Sequence, residues 1–310
     1  MKLRKYVCKN NVRLIHAMGC NDFPLAREVG KRVGIAVTVQ VRWPRERDYC
    51  AWMFGKDPKP ARMLCVTEAM VRYEQPIMQG LLPAEHVVAV HNGLDMEQFC
   101  PRPAGRRSHW RGEWGVPEEA FCIGVAGVIQ ERKQTIDLID VVASLRDRGV
   151  DAWGVIAGGV DDEEYAHEIV ERIGELGDAV RIVCAGHVDD IADAYSGFDI
   201  TASFARIETF GMSVAESIAC GCPVVYYQIE VLDEVAGPGG VPVPMGAVES
   251  FAEACAQLAA SPSDQATLRK AGMAHVRSKF SAEASTKALA CVVGDVLSDA
   301  DAAKSNGGAQ

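Results

Sequence analysis

The chain of 310 residues has no long hydrophobic segment. No run reaches the roughly eighteen consecutive apolar residues that a membrane-spanning helix needs, and the basic start at Met1–Lys5 is not followed by a hydrophobic signal region. These absences argue against an integral membrane protein and against a secretory leader. We therefore expect a soluble, cytoplasmic protein that contacts the inner face of a membrane only peripherally, if at all.

The eleven cysteines do not form a recognisable disulfide or zinc pattern. Their number is odd, and Cys220 and Cys222 are separated by one residue, with no second pair and no histidine nearby. Several cysteines lie instead within apolar segments, among them Cys65, Cys122, Cys184 and Cys291. We therefore expect buried thiols in a reducing compartment and no zinc site.

The dinucleotide-binding motif of nicotinamide enzymes is also missing. No G-x-G-x-x-G segment follows the first strand of either half, which argues against a nicotinamide enzyme.

The charge is unevenly distributed along the chain. The net charge is −10, with basic residues in excess in residues 1–107 and acidic residues in excess in residues 108–310. Because the basic residues are not interleaved with aromatic ones, we expect no nucleic-acid partner. The basic part can face an anionic acceptor or membrane surface, or can be a solvated surface without a partner.

Short apolar segments alternate with helix-like segments along the chain. Strand patterns occur at residues 12–16, 33–41, 63–66 and 86–90, and again at residues 121–127, 153–159, 180–188 and 198–202. This alternation predicts an α/β protein with parallel sheets and right-handed crossovers.

A stretch rich in proline and glycine at residues 100–119 coincides with the change in the sign of the charge. We place a boundary there, which gives an N-terminal domain of residues 1–105 and a C-terminal domain of residues 106–310. We expect the last helix, to about residue 297, to cross back to the first domain. The small and polar residues 298–310 are predicted to be disordered.

The segment Glu208–Glu216 connects a strand pattern to a predicted helix that ends before Gly221. A helix that starts beyond the carboxyl end of a parallel strand directs unpaired N–H groups and its positive dipole end at the ligand crevice, which suits a phosphate. Gly211 allows close approach of a ligand, and Met212 lies one turn before Glu216. The Glu216 carboxylate can accept hydrogen bonds from the vicinal hydroxyls of a ribose, with Glu208 across the same crevice. Alternatively, Glu216 is an exposed residue or complements the helix dipole.

Residues 208–225 resemble the signature E-x-F-G-x-x-x-x-E-(A/S)-x-A-x-G-x-P-V-V of retaining glycosyltransferases of the GT4 family. The resemblance covers about residues 12–297 and implies the GT-B fold, in which two Rossmann-like, doubly wound parallel-sheet domains face a cleft. It also implies that Glu216 holds the ribose of a nucleotide-sugar donor and that Glu208 contacts the donor sugar. The diphosphate would bind the backbone of Phe210, Gly211 and Met212.

Two further segments of the second domain match the family. The loop after its first strand corresponds to G-R-x-x-x-x-K-G, with Gly127 and Lys133 in place but Val128 at the position of the arginine. Lys133, with Arg132 as a substitute, would stabilise the diphosphate leaving group as the sugar bond breaks. Alternatively, Arg132 is a solvated loop charge. The turn at His187 and Val188 resembles the loop that cups the nucleotide base.

The N-terminal domain matches the family from the strand ending at His16 to Asn92–Asp95, which resembles the N-G-x-D linker segment. Family members have two more strand-helix units before this strand, so we expect a shortened domain or an N-terminally truncated reading frame. Arg42 occupies the position of a family histidine near the transferring sugar. His16 and Arg42 are therefore acceptor-side candidates, and the alternatives are a packed histidine and an exposed strand-end arginine.

These inferences predict a retaining glycosyltransferase, a hexosyltransferase-like enzyme of class EC 2.4. It would use a donor such as a UDP-sugar or GDP-sugar, and a saccharide, lipid-linked or other anionic acceptor. Relatives of this type build cell-envelope polysaccharide or glycolipid. No Asp-x-Asp pair lies near the predicted cleft, so we expect no metal and no other cofactor. The alternative is a catalytically silent nucleotide-binding module, or a subunit that needs a partner chain.

Overall fold

The computed structural model describes residues 2–307, apart from the side chains of residues 303, 304, 306 and 307. It divides into two compact units. The first comprises the chain up to Gly93 together with the part from Ala282 on, and the second comprises Leu94–Ser281. The division therefore lies before the predicted boundary at residue 105, and the last helix belongs to the first unit.

The first unit contains a parallel sheet of four strands in the order β1-β2-β3-β4. The strands are β1 (Leu14–Ala17), β2 (Ala36–Val41), β3 (Arg62–Cys65) and β4 (Val87–Ala89). The helices that alternate with them are α1 (Lys2–Lys9), α2 (Phe23–Val33), α3 (Arg47–Phe54) and α4 (Glu68–Met78). This sheet is the smaller of the two, as the resemblance implied.

The second unit contains a parallel sheet of six strands in the order β10-β9-β8-β5-β6-β7. Its strands are β5 (Phe121–Ala126), β6 (Ala152–Ala157), β7 (Ile182–Gly186), β8 (Ile200–Ser203), β9 (Val224–Tyr227) and β10 (Gly240–Val243). Its helices are α5 (Gly105–Trp114), α6 (Asp137–Asp147), α7 (Glu163–Leu176), α8 (Ile191–Ala194), α9 (Met212–Ala219), α10 (Glu230–Ala236), α11 (Val248–Ala260) and α12 (Pro262–Phe280). The strand order reverses between β5 and β8, which is the doubly wound topology and marks the switch point where ligands bind.

The last helix, α13 (Ala282–Gly307), corrects the prediction of a disordered tail. Residues 298–307 continue the helix, and Asp299 and Asp301 pair with Arg62 and Arg13 at 2.8 and 2.6 Å. These ion pairs join the end of α13 to the sheet of the same unit. Residues 308–310 of the predicted tail lie outside the described residues.

The cysteines are only partly buried. Cys65 and Cys122 are buried, as predicted, but Cys184 and Cys291 are exposed. The reason is that Cys184 lies on β7, which is an edge strand, whereas Cys291 lies on α13, where Val296 is the single buried residue among the described side chains. Between residues 2 and 307, no helix combines the length and the apolar character needed to span a membrane.

Glu74 is a buried carboxyl group on α4. Its side chain has no exposed surface, and its Oε1 atom accepts a hydrogen bond from the backbone N–H of Arg45 at 3.3 Å. Its Oε2 atom has no hydrogen-bond partner within the described part of the chain. Burial raises the pKa of Glu74 to about 7, although the hydrogen bond and the charge of Arg45 act in the opposite direction.

We predict that Glu74 makes the stability of the first unit depend on pH. The folded state keeps its proton up to about pH 7, whereas the unfolded carboxyl has the ordinary value of 4.5. The contribution of Glu74 to stability is therefore greatest below pH 4.5, and it falls by up to about 3 kcal/mol as the pH rises from about 4.5 to about 7. Urea unfolding at about pH 5 and pH 8 should show this fall in the wild type and a smaller fall in Glu74→Gln.

The matched control is Glu28→Gln, which removes an exposed carboxylate from the same unit. We expect this variant to keep the pH dependence of the wild type. Equal pH dependence in Glu74→Gln and the wild type would show that Glu74 is ionised in the folded protein across this range.

Candidate functional site

The loops that follow β5, β6, β7 and β8 meet at the carboxyl edge of the second sheet. Because the strand order reverses between β5 and β8, the loops after these two strands begin side by side. Sequence reasoning placed most of its candidate residues on these loops. The structure therefore locates them at one edge of one sheet.

Two glycines bring the first loops close together. A Cβ atom on Gly158 would lie 1.8 Å from the carbonyl oxygen of Gly127, so no side chain fits there. Gly127 has a φ of +121°, and a Cβ atom on it would lie 3.6 Å from the Nζ atom of Lys133. A ligand at this point would meet backbone and a lysine ammonium group rather than other side chains. Gly158 was not among the predicted site residues, and its signal was the glycine pair that ends the β6 pattern.

Gly211 forms the turn into α9. Its φ is +87°, a left-handed conformation that favours glycine, and a Cβ atom on it would lie 2.7 Å from the Cδ2 atom of Leu232. The ring of Phe210 is buried and packs edge-on against Phe280, with ring centroids 5.4 Å apart. Phe210 can thus offer a ligand its backbone but not its ring. Met212, the first residue of α9, is 37% exposed.

Glu208 lies against two cations. Its Oε2 atom is 3.4 Å from Lys133 Nζ and 3.6 Å from an Nη atom of Arg132, and Glu208 and Lys133 are largely buried. The Arg132 carbonyl accepts a hydrogen bond from the backbone N–H of Arg206 at 3.2 Å, which joins the two loops. Lys133 and Arg132 thus lie side by side at this loop, and cations of this kind pair with phosphate groups.

Glu216 borders a cavity of about 230 Å³, called here the Glu216 cavity. The residues that line it include Gly127, Gly158, His187, Val188, Tyr195 and Ser213. The Tyr195 hydroxyl lies 3.4 Å from Glu216 Oε2 and 3.2 Å from the Ser213 carbonyl oxygen. Burial raises the pKa of Glu216, while the Tyr195 hydrogen bond and the charge of Lys133 lower it. Glu216 is therefore a partly buried residue of the cavity lining, and the alternative of an exposed Glu216 is wrong.

The remaining candidates are less enclosed. The imidazole of His187 is 77% exposed and its Nε2 atom lies 3.3 Å from Asp189, so the residue borders the cavity without burying its ring. His16 and Arg42 belong to the first unit. His16 Nδ1 is 2.9 Å from the Thr38 hydroxyl, and Arg42 donates to Gln40 Oε1 at 3.3 Å. Burial lowers the pKa of His16.

Tyr195 is a site residue that sequence reasoning missed. It is fully buried, and burial raises the pKa of its hydroxyl well above the ordinary value. It lies at the end of a short helical segment, Asp189 to Ser196, whose sequence gave no sign of contact with a carboxylate on α9. Within residues 2–307, no three His, Cys, Asp or Glu side chains are grouped closely enough to hold a metal ion.

Residues 106–275 match the sequence model of the family described as glycosyl transferases group 1. Similar proteins include D-inositol 3-phosphate glycosyltransferase of Kribbella flavida, 32% identical over 66% of this chain and 50% of that protein. The same-named protein of Saccharomonospora viridis is 32% identical over 76% of this chain and 59% of its own length. The chain thus spans between half and two thirds of the length of these relatives.

Solved structures of low sequence identity have the same fold. Anabaena HepE in complex with UDP superimposes with a TM-score of 0.84 and 18% identity, covering 95% of this chain and 81% of HepE. A glycosyltransferase from Rickettsia africae gives a TM-score of 0.82 at 16% identity, and the match covers 96% of this chain and 80% of that protein. The predicted GT-B fold is therefore confirmed.

We predict that Gly211→Ala destabilises the second unit by about 2–3 kcal/mol, because it adds a clash with Leu232 to the cost of a left-handed alanine. Gly246→Ala is the matched control, since Gly246 also has a positive φ of +75° but has no atom within 4 Å of an added Cβ. It should cost only about 1–2 kcal/mol. Denaturant unfolding measures both, and equal losses would mean that Leu232 moves aside without cost.

Proposed function

The chain belongs to the glycosyl transferases of group 1, and from this premise we propose that it transfers a sugar from a nucleoside-diphosphate donor to an acceptor with retention of configuration. The donor would bind in the second unit, where the Glu216 cavity and the Lys133 cluster lie. The acceptor would be a saccharide or a lipid-linked or other anionic molecule. The product would belong to cell-envelope polysaccharide or glycolipid.

The observation that carries this proposal is the arrangement of charge around Lys133. Its ammonium group lies 3.4 Å from Glu208 and is near enough to Glu216 to lower the pKa of that carboxyl group. We infer that a diphosphate beside Lys133 has Glu208 on the side of the sugar and Glu216 on the side of the nucleoside. This is the order of groups in a nucleotide sugar.

Each residue then has a defined role. Glu216 accepts hydrogen bonds from the ribose hydroxyls, and the backbone of Phe210, Gly211 and Met212 with Gly127 binds the diphosphate. The backbone at His187 and Val188 contacts the base. Glu208 holds the sugar, and Lys133 with Arg132 stabilises the charge that develops on the leaving group. The proposal includes no metal ion, because these two cations supply fixed positive charge at that position.

The transfer step needs no separate base. The bond between the anomeric carbon and the diphosphate oxygen breaks, and the acceptor oxygen forms its bond to the same carbon on the same face. The departing phosphate oxygen takes the acceptor proton. His16 and Arg42 are carried forward as acceptor-side candidates, because both are polar residues toward the carboxyl ends of neighbouring strands in the first unit.

Two relatives bear on the acceptor. D-inositol 3-phosphate glycosyltransferase is named for a phosphate-bearing acceptor. A Mycobacterium tuberculosis relative, 30% identical over 49% of this chain and 38% of that protein, is named as a GDP-mannose-dependent phosphatidylinositol dimannoside mannosyltransferase. Both names support an anionic acceptor, and the second supports a lipid-linked one.

We predict that one of UDP, GDP or ADP, or a corresponding nucleotide sugar, raises the thermal unfolding midpoint of the chain. At a hundredfold excess over the dissociation constant, the stabilisation should be about 2.7 kcal/mol. Glu216→Gln should lose this effect, because an amide cannot accept both ribose hydroxyls as a carboxylate does. Glu253→Gln, an exposed change on α11, should keep it.

The pH dependence provides a second check. Because burial raises the pKa of Glu216, this carboxylate becomes protonated at a higher pH than an ordinary glutamate. As the pH is lowered, the affinity of the wild type for the nucleotide should therefore begin to fall while the pH is still above 4.5. The affinity of Glu216→Gln should lack this fall. If no nucleotide stabilises the wild type, the second unit has no working donor site.

We predict that Lys133→Met lowers the rate of sugar transfer or donor hydrolysis by about 10²–10³-fold, because one fixed cation at the leaving group is lost. Its effect on donor affinity should be smaller than its effect on kcat. Lys270→Met, an exposed change on α12, is the control and should leave the rate unchanged. Nucleotide binding by the wild type without turnover of any donor would instead identify the chain as a silent binding module or a subunit of a larger enzyme.

A further inference from the structure

A second cavity, of about 350 Å³, lies in the second unit where α5 begins and α9 ends. We call it the arginine cavity, because Arg102, Arg107 and Arg269 line it and no acidic residue does among the described residues that border it. Tyr195 and Phe198 contribute apolar surface. Its volume lies in the range of roughly 300–1,000 Å³ that is typical of small-molecule sites.

The thiols in the lining do not add negative charge. Burial raises the pKa of Cys220 to about 12, and burial also raises the pKa of Cys222. Both thiols are therefore neutral near pH 7. The start of α5 at Gly105 adds the positive end of a helix dipole next to Ala104, which also borders the cavity.

Two of the three arginines pair with carboxylates that do not line the cavity. Arg107 pairs with Asp199 at 2.8 Å and with Glu118 at 3.3 Å. Arg102 donates to the Gln98 carbonyl at 3.0 Å, and its Nε atom lies 3.7 Å from Asp193. The carboxylates lie outside the lining, so the guanidinium groups are ordered without closing the cavity to an anion.

Arg269 differs from the other two because it pairs with no carboxylate within the described part of the chain. Its Nε–H donates to the Gly221 carbonyl at 2.5 Å, which fixes the guanidinium plane. Its two terminal nitrogens make no hydrogen bond to the residues that the structure describes, so they keep their donors for a ligand. A planar fork with free donors matches the oxygens of a phosphate group.

We propose that the arginine cavity binds a soluble phosphate ester or diphosphate through Arg102, Arg107 and Arg269. This site is separate from the Glu216 cavity: of the residues that line the two, only Tyr195 is common to both. Because the Tyr195 hydroxyl contacts Glu216, the two sites adjoin through one side chain. The inference does not depend on the proposed transfer reaction.

Inorganic pyrophosphate is the probe, and isothermal titration of the full chain is the measurement. Since pyrophosphate can also bind beside Lys133, the test uses Lys133→Met as its background. In that background we expect one remaining site, which Arg269→Gln weakens by about tenfold or more, the effect of losing a hydrogen bond to a charged group. Lys270→Gln removes the same charge from the neighbouring residue outside the lining and should change the affinity by less than about twofold.

Two further variants distinguish a loss of binding from a loss of folding. Arg269→Lys keeps the charge but loses the planar fork, and it should bind pyrophosphate more weakly than the parent and more tightly than Arg269→Gln. Arg102→Gln should weaken binding without touching the Gly221 hydrogen bond. The proposal is overturned if Lys133→Met binds no pyrophosphate, or if Arg269→Gln and Arg102→Gln, folded by circular dichroism, bind it as the parent does.

Discussion

The close approach of the loops at Gly127 and Gly158 determines the shape of the Glu216 cavity. A side chain on Gly158 would overlap the Gly127 carbonyl, so only glycine is possible there. The Gly127 N–H donates to the Ala157 carbonyl at 3.0 Å, and the Gly158 N–H donates to the Gly186 carbonyl at 2.8 Å. The hydrogen bonding of three parallel strands therefore continues past their ends. It creates a wall of backbone that a ligand can reach because no side chain covers it.

A buried arginine joins helix α5 to the sheet of the second unit. Arg111 on α5 is 1% exposed, pairs with Asp199 at 2.8 Å, and donates to four backbone carbonyls at the edge of the sheet, those of Gly197, Pro117, Glu118 and Ala120. Asp199 also accepts from the Cys122 N–H at 2.7 Å, at the start region of β5. A buried charge is tolerated only with such complete pairing. Helix α5, which lies within the stretch of residues 100–119 where the composition placed the domain boundary, is therefore an integral part of the second unit.

The sequence alone predicted those parts of the fold that depend on local residue patterns. The parallel sheets follow from the alternation of strand and helix patterns, and the turn at Gly211 follows from one glycine, both of which are visible in the sequence. The doubly wound topology was implied by the family resemblance. Tyr195 could not be predicted, because it contacts Glu216 from 21 residues away and nothing in its own segment indicates that contact. The exposure of Cys184 depends on the edge position of β7, and the order of residues 298–307 depends on ion pairs with distant arginines. Predicting each of these three features requires knowing which distant segments contact each other in the folded chain.

The position of Glu208 between two cations constrains how a donor could bind. The Glu208 carboxylate contacts both Lys133 and Arg132, so its negative charge offsets part of their positive charge in this largely buried position. A diphosphate brings negative charge to the same cations and competes with Glu208 for them. The carboxylate is then free to accept hydrogen bonds from sugar hydroxyls beside the diphosphate. Under the proposed function, Glu208 thus offsets the charge of the two cations before the donor binds and recognises the donor sugar afterwards.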